Sequence, residues 1–303
     1  MAQAFEQLTD AFRITRSRAL SYNSGIFISE RQAALIDPGL FPDEIEGIKQ
    51  FVIKQGAEAG VIVLTHSHWD HILGPEHFPG VRVVAQRDYR SADCGLMNAG
   101  RRQKTMEEIG RWEEENDVRR DRPFSVPRPQ AVFDGSLMLL LGRRPLQLIH
   151  APGHWPDQLV VYEPEDKVLW AGDMLSDIEI PFVSHRLEAY EQTLRMLQGM
   201  DIRILVPGHG AVATDAGEIE RRFREDELYL RELRRAVETW VAQGSLPGDN
   251  PPISRKEIRG LSLGFTPSPR LEANLYPHRL NIETVWQELG GEPDPAHPGW
   301  GSN

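Results

Sequence analysis

Cysteine is almost absent from this chain. Its 303 residues include a single one, Cys94, so no disulfide can form within the chain and no cysteine-rich zinc motif is available. Any bound metal ion must therefore rest on histidine and carboxylate side chains.

Long apolar runs are also missing. No stretch approaches the length of a membrane span. The N-terminal residues mix acidic and basic side chains and lack the apolar region of a secretion signal. We therefore expect a cytoplasmic protein that does not contact a membrane.

Positive charge is outweighed by negative charge. Lys and Arg number 34 against 45 Asp and Glu, which gives a net charge of −11. This balance disfavours a broad surface for a polyanion, although it leaves room for a local basic channel. A small-molecule partner is the expectation, and nucleic acid is the less favoured alternative.

Short apolar runs punctuated by turn-forming residues predict an α/β fold. Strands are predicted at 24–29, 32–39, 60–66, 82–86, 136–142, 146–154, 159–164, 167–173 and 202–210, and helices at 43–55, 187–200 and 215–243. Two successive blocks of strands with helices indicate two packed sheets flanked by helices.

The domain organisation follows from where this alternation is broken. Residues 87–135 form a long, charged and largely helical insertion, which is often a lid. The break at GSLPGDNPP after the long helix suggests a catalytic domain over 1–243 and a small helical segment over 244–303.

The segment THSHWDH carries the strongest chemical signal. Four potential ligands, His66, His68, Asp70 and His71, fall within six residues directly after an apolar strand. Side chains two apart in extended chain point the same way, so His66 and His68 can share one ion while Asp70 and His71 reach a second.

Three further candidates each follow a glycine at the end of an apolar run. They are His154, Asp173 and His209. If neighbouring strands deliver these loops to one sheet edge, seven side chains converge on two ions. Three His would hold one ion and two His with an Asp the other, and Asp173 is the natural bridge.

This pattern resembles the metallo-β-lactamase-fold hydrolase superfamily over roughly residues 12–243. The family motif HxHxDH corresponds to residues 66–71, and the later ligands to His154 in APGH, Asp173 in AGD and His209 in PGHG. The resemblance implies a four-layer αββα sandwich with a dinuclear site at one edge. It also places Asp37, in LIDPG, beside the ligands as support for the HxHxDH loop.

Departures from the best-known zinc β-lactamases argue against antibiotic hydrolysis. Those enzymes usually lack the residue equivalent to His71 and carry a Cys ligand, whereas this ligand set is closer to that of glyoxalase II, lactonases and lactamase-β-2-like proteins. The function implied is hydrolysis of an ester, thioester or lactone by a metal-bound hydroxide. The alternatives are a phosphodiesterase or endoribonuclease of the lactamase-β-2-like type and, less favoured, a mononuclear iron sulfur dioxygenase.

The expected chemistry assigns roles to the remaining candidates. Two divalent ions, zinc by default with iron or manganese as alternatives, would generate the hydroxide near neutral pH. Asp70 could relay its proton, and the local positive charge suits an anionic substrate. His185 and His278 are candidate substrate-binding residues, and the oligomeric state, with a homodimer as one alternative, is left open.

Overall fold

The computed structural model of this chain describes residues 3–120, 123–243 and 265–290. The strands are β1 (Glu6–Gln7), β2 (Phe12–Arg16), β3 (Asn23–Ser29), β4 (Gln32–Ile36), β5 (Glu58–Val63), β6 (Arg82–Gln86), β7 (Ala131–Phe133), β8 (Ser136–Leu141), β9 (Arg144–His150), β10 (Leu159–Glu163), β11 (Val168–Trp170) and β12 (Ile204–Val206). The helices are α1 (Pro42–Lys54), α2 (Ala99–Glu115), α3 (Leu187–Gln198), α4 (Ala216–Gln243), α5 (Pro269–Ala273) and α6 (Leu275–Glu288).

Contacts between Cα atoms divide the chain into two compact units. The first, which we call the sheet unit, contains the residues up to Ala151 together with Pro156–Gly172 and Ile202–Val212. The second, the helical unit, contains Pro152–Trp155, Asp173–Asp201 and the described residues from Ala213 onward. The domain boundary expected after residue 243 is a different division, and it stays a prediction.

All of the named strands belong to the sheet unit. One sheet has seven strands in the order β1-β2-β3-β4-β5-β6-β7, and the other has five in the order β12-β11-β10-β9-β8. Pairing is parallel from β4 through β7 and between β11 and β12, and antiparallel elsewhere. Parallel pairing matters for function because successive strand ends then meet at one edge.

Alternation along the strands produces two cores in the sheet unit. In β5 and the residue after it, Ile62 and Leu64 pack in one cluster with the apolar faces of α1 and α2, whereas Val61 and Val63 pack in the other. The second cluster also takes side chains from the five-stranded sheet, such as Leu148 and Trp170. Because successive side chains of a strand point to opposite faces, one face of the seven-stranded sheet packs against helices and the other packs against the five-stranded sheet.

The helical unit is built from α3 to α6. Helix α3 buries Leu187, Tyr190, Leu194 and Leu197, the spacing of one helical face. Helix α4 packs against both α3 and α6. The helix predicted over 215–243 is confirmed as α4, and the apolar residues that it buries are Ile219, Phe223, Leu230, Leu233 and Val237.

The predicted fold class, two sheets with helices and a C-terminal helical region, agrees with this structure. The 87–135 insertion contains α2 but also β7, which joins the seven-stranded sheet. Within the expected C-terminal segment, 265–290 is helical, and 244–264 and 291–303 lie outside the described residues. Among the helices that the structure describes, none combines the length and the apolarity that crossing a membrane requires.

Candidate metal centre

The loop that follows β5 carries four candidate ligands and one side chain that supports them. The candidates are His66, His68, Asp70 and His71, and the supporting side chain is Thr65. Because β4 and β5 are parallel, Asp37 after β4 and residues 65–71 after β5 emerge at the same sheet edge. Asp37 N–H donates to the Val63 carbonyl at 3.0 Å, which ties the two strand ends together. Within the loop, residues 69–71 form one short 3₁₀ turn, which brings Asp70 and His71 onto the same side as the strand end.

His209 reaches this loop because its own loop pairs with the chain before β3. Tyr22 and His209 form an isolated antiparallel bridge. The Asn23 amide Nδ2 donates to the carbonyls of Pro207 and Gly210, each at 2.9 Å. These contacts hold the tip of the loop after β12 at the edge where β3 and β4 meet.

Asp70, His71 and His209 form a buried donor group within the sheet unit. One ligand atom from each lies within 4.8 Å of the others. Asp70 Oδ2 is 3.1 Å from His209 Nε2 and 3.5 Å from His71 Nε2. Two imidazole nitrogens and a carboxylate oxygen at this spacing can hold a divalent transition-metal ion.

The other ring nitrogens of these histidines fix their tautomers. His71 Nδ1 lies 2.9 Å from Asp37 Oδ2, and His209 Nδ1 lies 3.0 Å from the Leu20 carbonyl. Both partners accept, so Nδ1 carries the proton in each ring and Nε2 carries the lone pair. Ligand histidines in metal sites show the same arrangement.

His66 and His68 converge at the start of the loop. His66 Nε2 and His68 Nδ1 are 3.0 Å apart. The Thr65 hydroxyl donates to Asp37 Oδ2 at 2.6 Å, which lets its oxygen accept from His66 Nδ1 at 3.1 Å. The two nitrogens that face each other are therefore the ones able to share an ion.

The Asp37 side chain fixes the loop that follows β5 through hydrogen bonds. It is fully buried and accepts from Thr65 N–H at 2.8 Å, from the Thr65 hydroxyl and from His71 Nδ1. Its backbone lies in the left-handed region, with φ of 44°, which Asp tolerates better than most residues. This geometry is the one expected of a residue that supports the ligands.

His154 and Asp173 belong to the helical unit and contact each other there. His154 Nε2 lies 3.6 Å from Asp173 Oδ2, and His154 Nδ1 donates to the Phe182 carbonyl at 3.0 Å. Gly153, at φ of 140°, permits this approach because a Cβ there would overlap the backbone of Tyr190. His154, like His71 and His209, is thus fixed with its lone pair on Nε2.

The two substrate-binding candidates both lie in the helical unit. His185 is half-buried, and its N–H donates to the Gly153 carbonyl at 3.3 Å. His278 is fully buried, with Nδ1 2.9 Å from the Tyr229 hydroxyl and its ring against Phe265. Their proposed contact with a substrate stays a prediction.

Sequence reasoning missed two residues that support the loop. Tyr22 presents its ring to His71 and His209, at 5.1 and 5.4 Å between centroids, and donates its hydroxyl to the Asp37 carbonyl. Asp157 accepts from Ser67 N–H at 3.2 Å, and burial raises its pKa to about 6 against the opposing effect of His66. Neither belongs to a motif, so only the structure reveals them.

Comparison with known proteins gives one family. Residues 18–209 match the family model described as the metallo-beta-lactamase superfamily. The chain is similar to the acyl-coenzyme A thioesterase MBLAC2 of Gallus gallus, with 27% identity over 58% of this chain and 67% of the relative. It is also similar to the hydroxyacylglutathione hydrolase GloC of Haemophilus influenzae, with 26% identity over 62% of this chain and 85% of the relative.

Two fungal thioesterases extend this set. An atrochrysone carboxyl ACP thioesterase of Aspergillus chevalieri is 24% identical over 74% of this chain and 64% of the relative. Its counterpart in Aspergillus fumigatus is 31% identical over 36% of this chain and 35% of the relative. The chain therefore spans from about a third to two thirds of the length of the thioesterases it matches.

Solved structures agree on the fold. A metallo-beta-lactamase from Pontibacter korlensis superimposes with a TM-score of 0.55 at 19% identity, over 74% of this chain and 99% of that chain. The B3 metallo-beta-lactamase BLEG-1 gives 0.53 at 20% identity, over 71% and 97%. At this identity the likeness establishes the architecture alone.

Proposed function

Since the chain belongs to the metallo-beta-lactamase superfamily and is a hydrolase, we propose that it hydrolyses thioesters at a centre of two divalent metal ions. The observation that carries the proposal is the state of the ligand imidazoles. His71, His154 and His209 each donate Nδ1–H to an oxygen, so each offers Nε2 in the form that binds a metal.

The seven ligands divide into two donor sets. Asp70, His71 and His209 would hold one ion. The second set has three imidazoles and one carboxylate, and a carboxylate can bridge two ions. For this second set we propose the remaining sequence candidates, His66, His68, His154 and Asp173. Zinc suits both sets best, and iron or manganese would also fit.

Bound ions would lower the pKa of a coordinated water to about 7 and polarise the carbonyl of the substrate. Asp70 would help to hold one ion through Oδ2, which lies beside the Nε2 atoms of His71 and His209, and its other carboxylate oxygen would accept the proton of the attacking water. His66, His68 and His154 would hold the ion that polarises this carbonyl. Two ions exceed the charge of two carboxylates, so the site would attract an anionic substrate.

Thioesters fit this site for a chemical reason and by relationship. A thiol has a pKa near 8.5, so a thiolate leaves without a proton from a general acid, and Asp70 need act only as a base. The relatives named above are thioesterases or hydrolyse an acyl glutathione. Esters and lactones would react at the same site more slowly.

The test is a metal analysis combined with a substrate panel. We expect two equivalents of metal per purified chain and thiol release from acyl-coenzyme A or an acyl glutathione. Oxygen uptake, bis-p-nitrophenyl phosphate and RNA form the other arms. Turnover of RNA alone would replace the proposal with a nuclease, and one iron per chain with oxygen uptake would replace it with a dioxygenase.

A matched pair of histidine variants ties activity to the centre. His209→Ala should lose one ion per chain and lower kcat/KM by at least the roughly 10- to 100-fold that loss of a residue supporting a ligand causes. His77→Ala removes a histidine that lies outside the candidate donor groups of the described residues and should leave both unchanged. Equal activity in the two variants would contradict the assignment of His209.

A further inference from the structure

The segment between Asp173 and α3 has no regular secondary structure. Residues 178–186 contain neither helix nor strand, so their backbone N–H and carbonyl groups need partners from other elements. The Phe182 carbonyl lies in this segment and orients His154. Whatever fixes the segment therefore fixes the ring of a proposed metal ligand.

Side chains of α5 and α6 supply these partners one after another. Four residues of the two helices and the turn between them contact the backbone over residues 178–187. Asn274 donates to Ile178 O at 2.8 Å, Arg270 to Glu179 O at 2.8 Å and Asn281 to Pro181 O at 2.6 Å, while Val183 N–H donates to Asn281 at 2.7 Å and Leu187 N–H to Glu288 at 2.7 Å.

Asn281 occupies the centre of this series. It is fully buried, accepts from Val183 N–H and donates to the Pro181 carbonyl, so it holds the backbone on both sides of Phe182. Its second amide hydrogen goes to the Tyr229 hydroxyl at 2.7 Å. An amide is the only kind of side chain that offers both an acceptor and two donors at one site.

We infer that Asn281 is a positioning residue for the metal ligand His154. It acts through the backbone around Phe182, whose carbonyl accepts from His154 Nδ1 and so directs Nε2 towards Asp173. The inference rests on the proposed function, because it assumes that His154 binds an ion. It gives the C-terminal helices a specific part in metal binding.

The effect should be confined to one of the two donor sets. His71 and His209 are oriented by Asp37 and by the Leu20 carbonyl, which Asn281 does not contact. Loss of Asn281 should therefore weaken the ion held by His154 and spare the ion held by Asp70, His71 and His209. A general loss of stability would have no such preference.

The experiment measures zinc affinity on the full chain by competition with a chromophoric chelator. Asn281→Leu, similar in size but without the amide, should bind one zinc about 10- to 100-fold more weakly, the usual effect of losing a residue that orients a ligand. The other zinc should bind as in the unmodified chain. Measuring the same change in a His209→Ala background identifies which ion is affected.

Tyr229→Phe is the matched control. It removes two hydrogen bonds from the same buried network, one with Asn281 and one with His278, but leaves the contacts of Asn281 with Pro181 and Val183. Its zinc affinities should match those of the unmodified chain even if its melting temperature falls. If Asn281→Leu does not fold, Asn281→Ser, which cannot span both backbone groups, takes its place.

The outcomes distinguish the positioning role of Asn281 from the proposed function. Unchanged affinity for both ions in the Asn281 variants, or equal weakening in Tyr229→Phe, would overturn the positioning role and leave the proposed function standing. Failure of the unmodified chain to bind zinc, iron or manganese would overturn the proposed function itself.

Discussion

At the scale of single residues, Asp37 shows how one carboxylate can set the geometry of several ligands. Burial of a charged group is costly unless hydrogen bonds replace the lost water. Asp37 has three such bonds, two to Thr65 and one to His71. Charge-assisted bonds of this kind are about twice as strong as neutral ones, so these contacts hold the His71 ring in one orientation.

Asp37→Asn removes the negative charge of this side chain and keeps its size and shape. Asn tolerates the positive φ of this position and keeps one oxygen for Thr65 N–H, but its amide cannot accept from His71 Nδ1. We expect zinc affinity at the Asp70, His71 and His209 set to fall about 10- to 100-fold, measured by chelator competition. Asp88→Asn, at a position away from the loop, is the control, and an unchanged affinity in Asp37→Asn would refute the supporting role.

The four candidate ligands of residues 66–71 could be proposed at this scale because their motif is local. His66 and His68 are two residues apart, and strand alternation alone puts their side chains on one side. Tyr22 and Asp157 could not be predicted. Their contacts with Asp37 and Ser67 span 15 and 90 residues of chain, and no local spacing encodes such distances.

At the scale of elements, strands with strong apolar alternation were predicted well. Strands β3 to β6 and β8 to β12 fall within or beside the predicted runs. Strands β1, β2 and β7 were missed. The run of β2, FRITR, ends in charge, and β7 has three residues inside a charged insertion, so both depend on pairing with a neighbour rather than on their own pattern.

Helix α4 carries a buried carboxylate that should give stability a recognisable pH dependence. Burial raises the pKa of Asp226 to about 6, although Arg270 opposes the shift. The folded chain then binds a proton that the unfolded chain releases between about pH 4 and pH 6. The stability that this proton contributes is present at low pH and is lost as the pH rises through about 6.

Asp226→Asn should remove that dependence. Urea unfolding should be measured between pH 4.5 and pH 7. As the pH rises, the free energy of unfolding of the variant should increase relative to that of the unmodified chain by on the order of 2 kcal/mol. Arg270 stays charged throughout this range, so it does not contribute to the difference. A constant gap between the two proteins across the range would show that Asp226 does not titrate there.

At the scale of the whole molecule, the contact division cuts across the chain order. Residues 152–155 and 173–201 join the helical unit although both flanking stretches belong to the sheet unit. A single boundary in the sequence cannot describe units that each contain several separate segments, because it divides the chain at only one point. The boundary expected after residue 243 rests on a Pro- and Gly-rich stretch of the sequence, and it stays a prediction.

Removal of the metal tests how much a bound ion contributes to the stability of the whole chain. Zinc that binds only the folded chain should stabilise it by about 4 kcal/mol at a zinc concentration about 1,000 times Kd. Urea unfolding of the chelator-treated chain with and without added zinc measures this difference. Magnesium is the control because it prefers oxygen ligands, and equal stability with either ion, or with none, would contradict a zinc centre built on imidazoles.

The hydrogen bonds that orient His71, His154 and His209 come from backbone carbonyls and from Asp37, so the protein itself supplies the partners that fix these rings. A ligand shell arranged in advance can exchange one cation for another while the chain stays folded. The ion carried in a cell would then follow local supply and relative affinity, so preparations from different growth media should differ in metal content more than in shape.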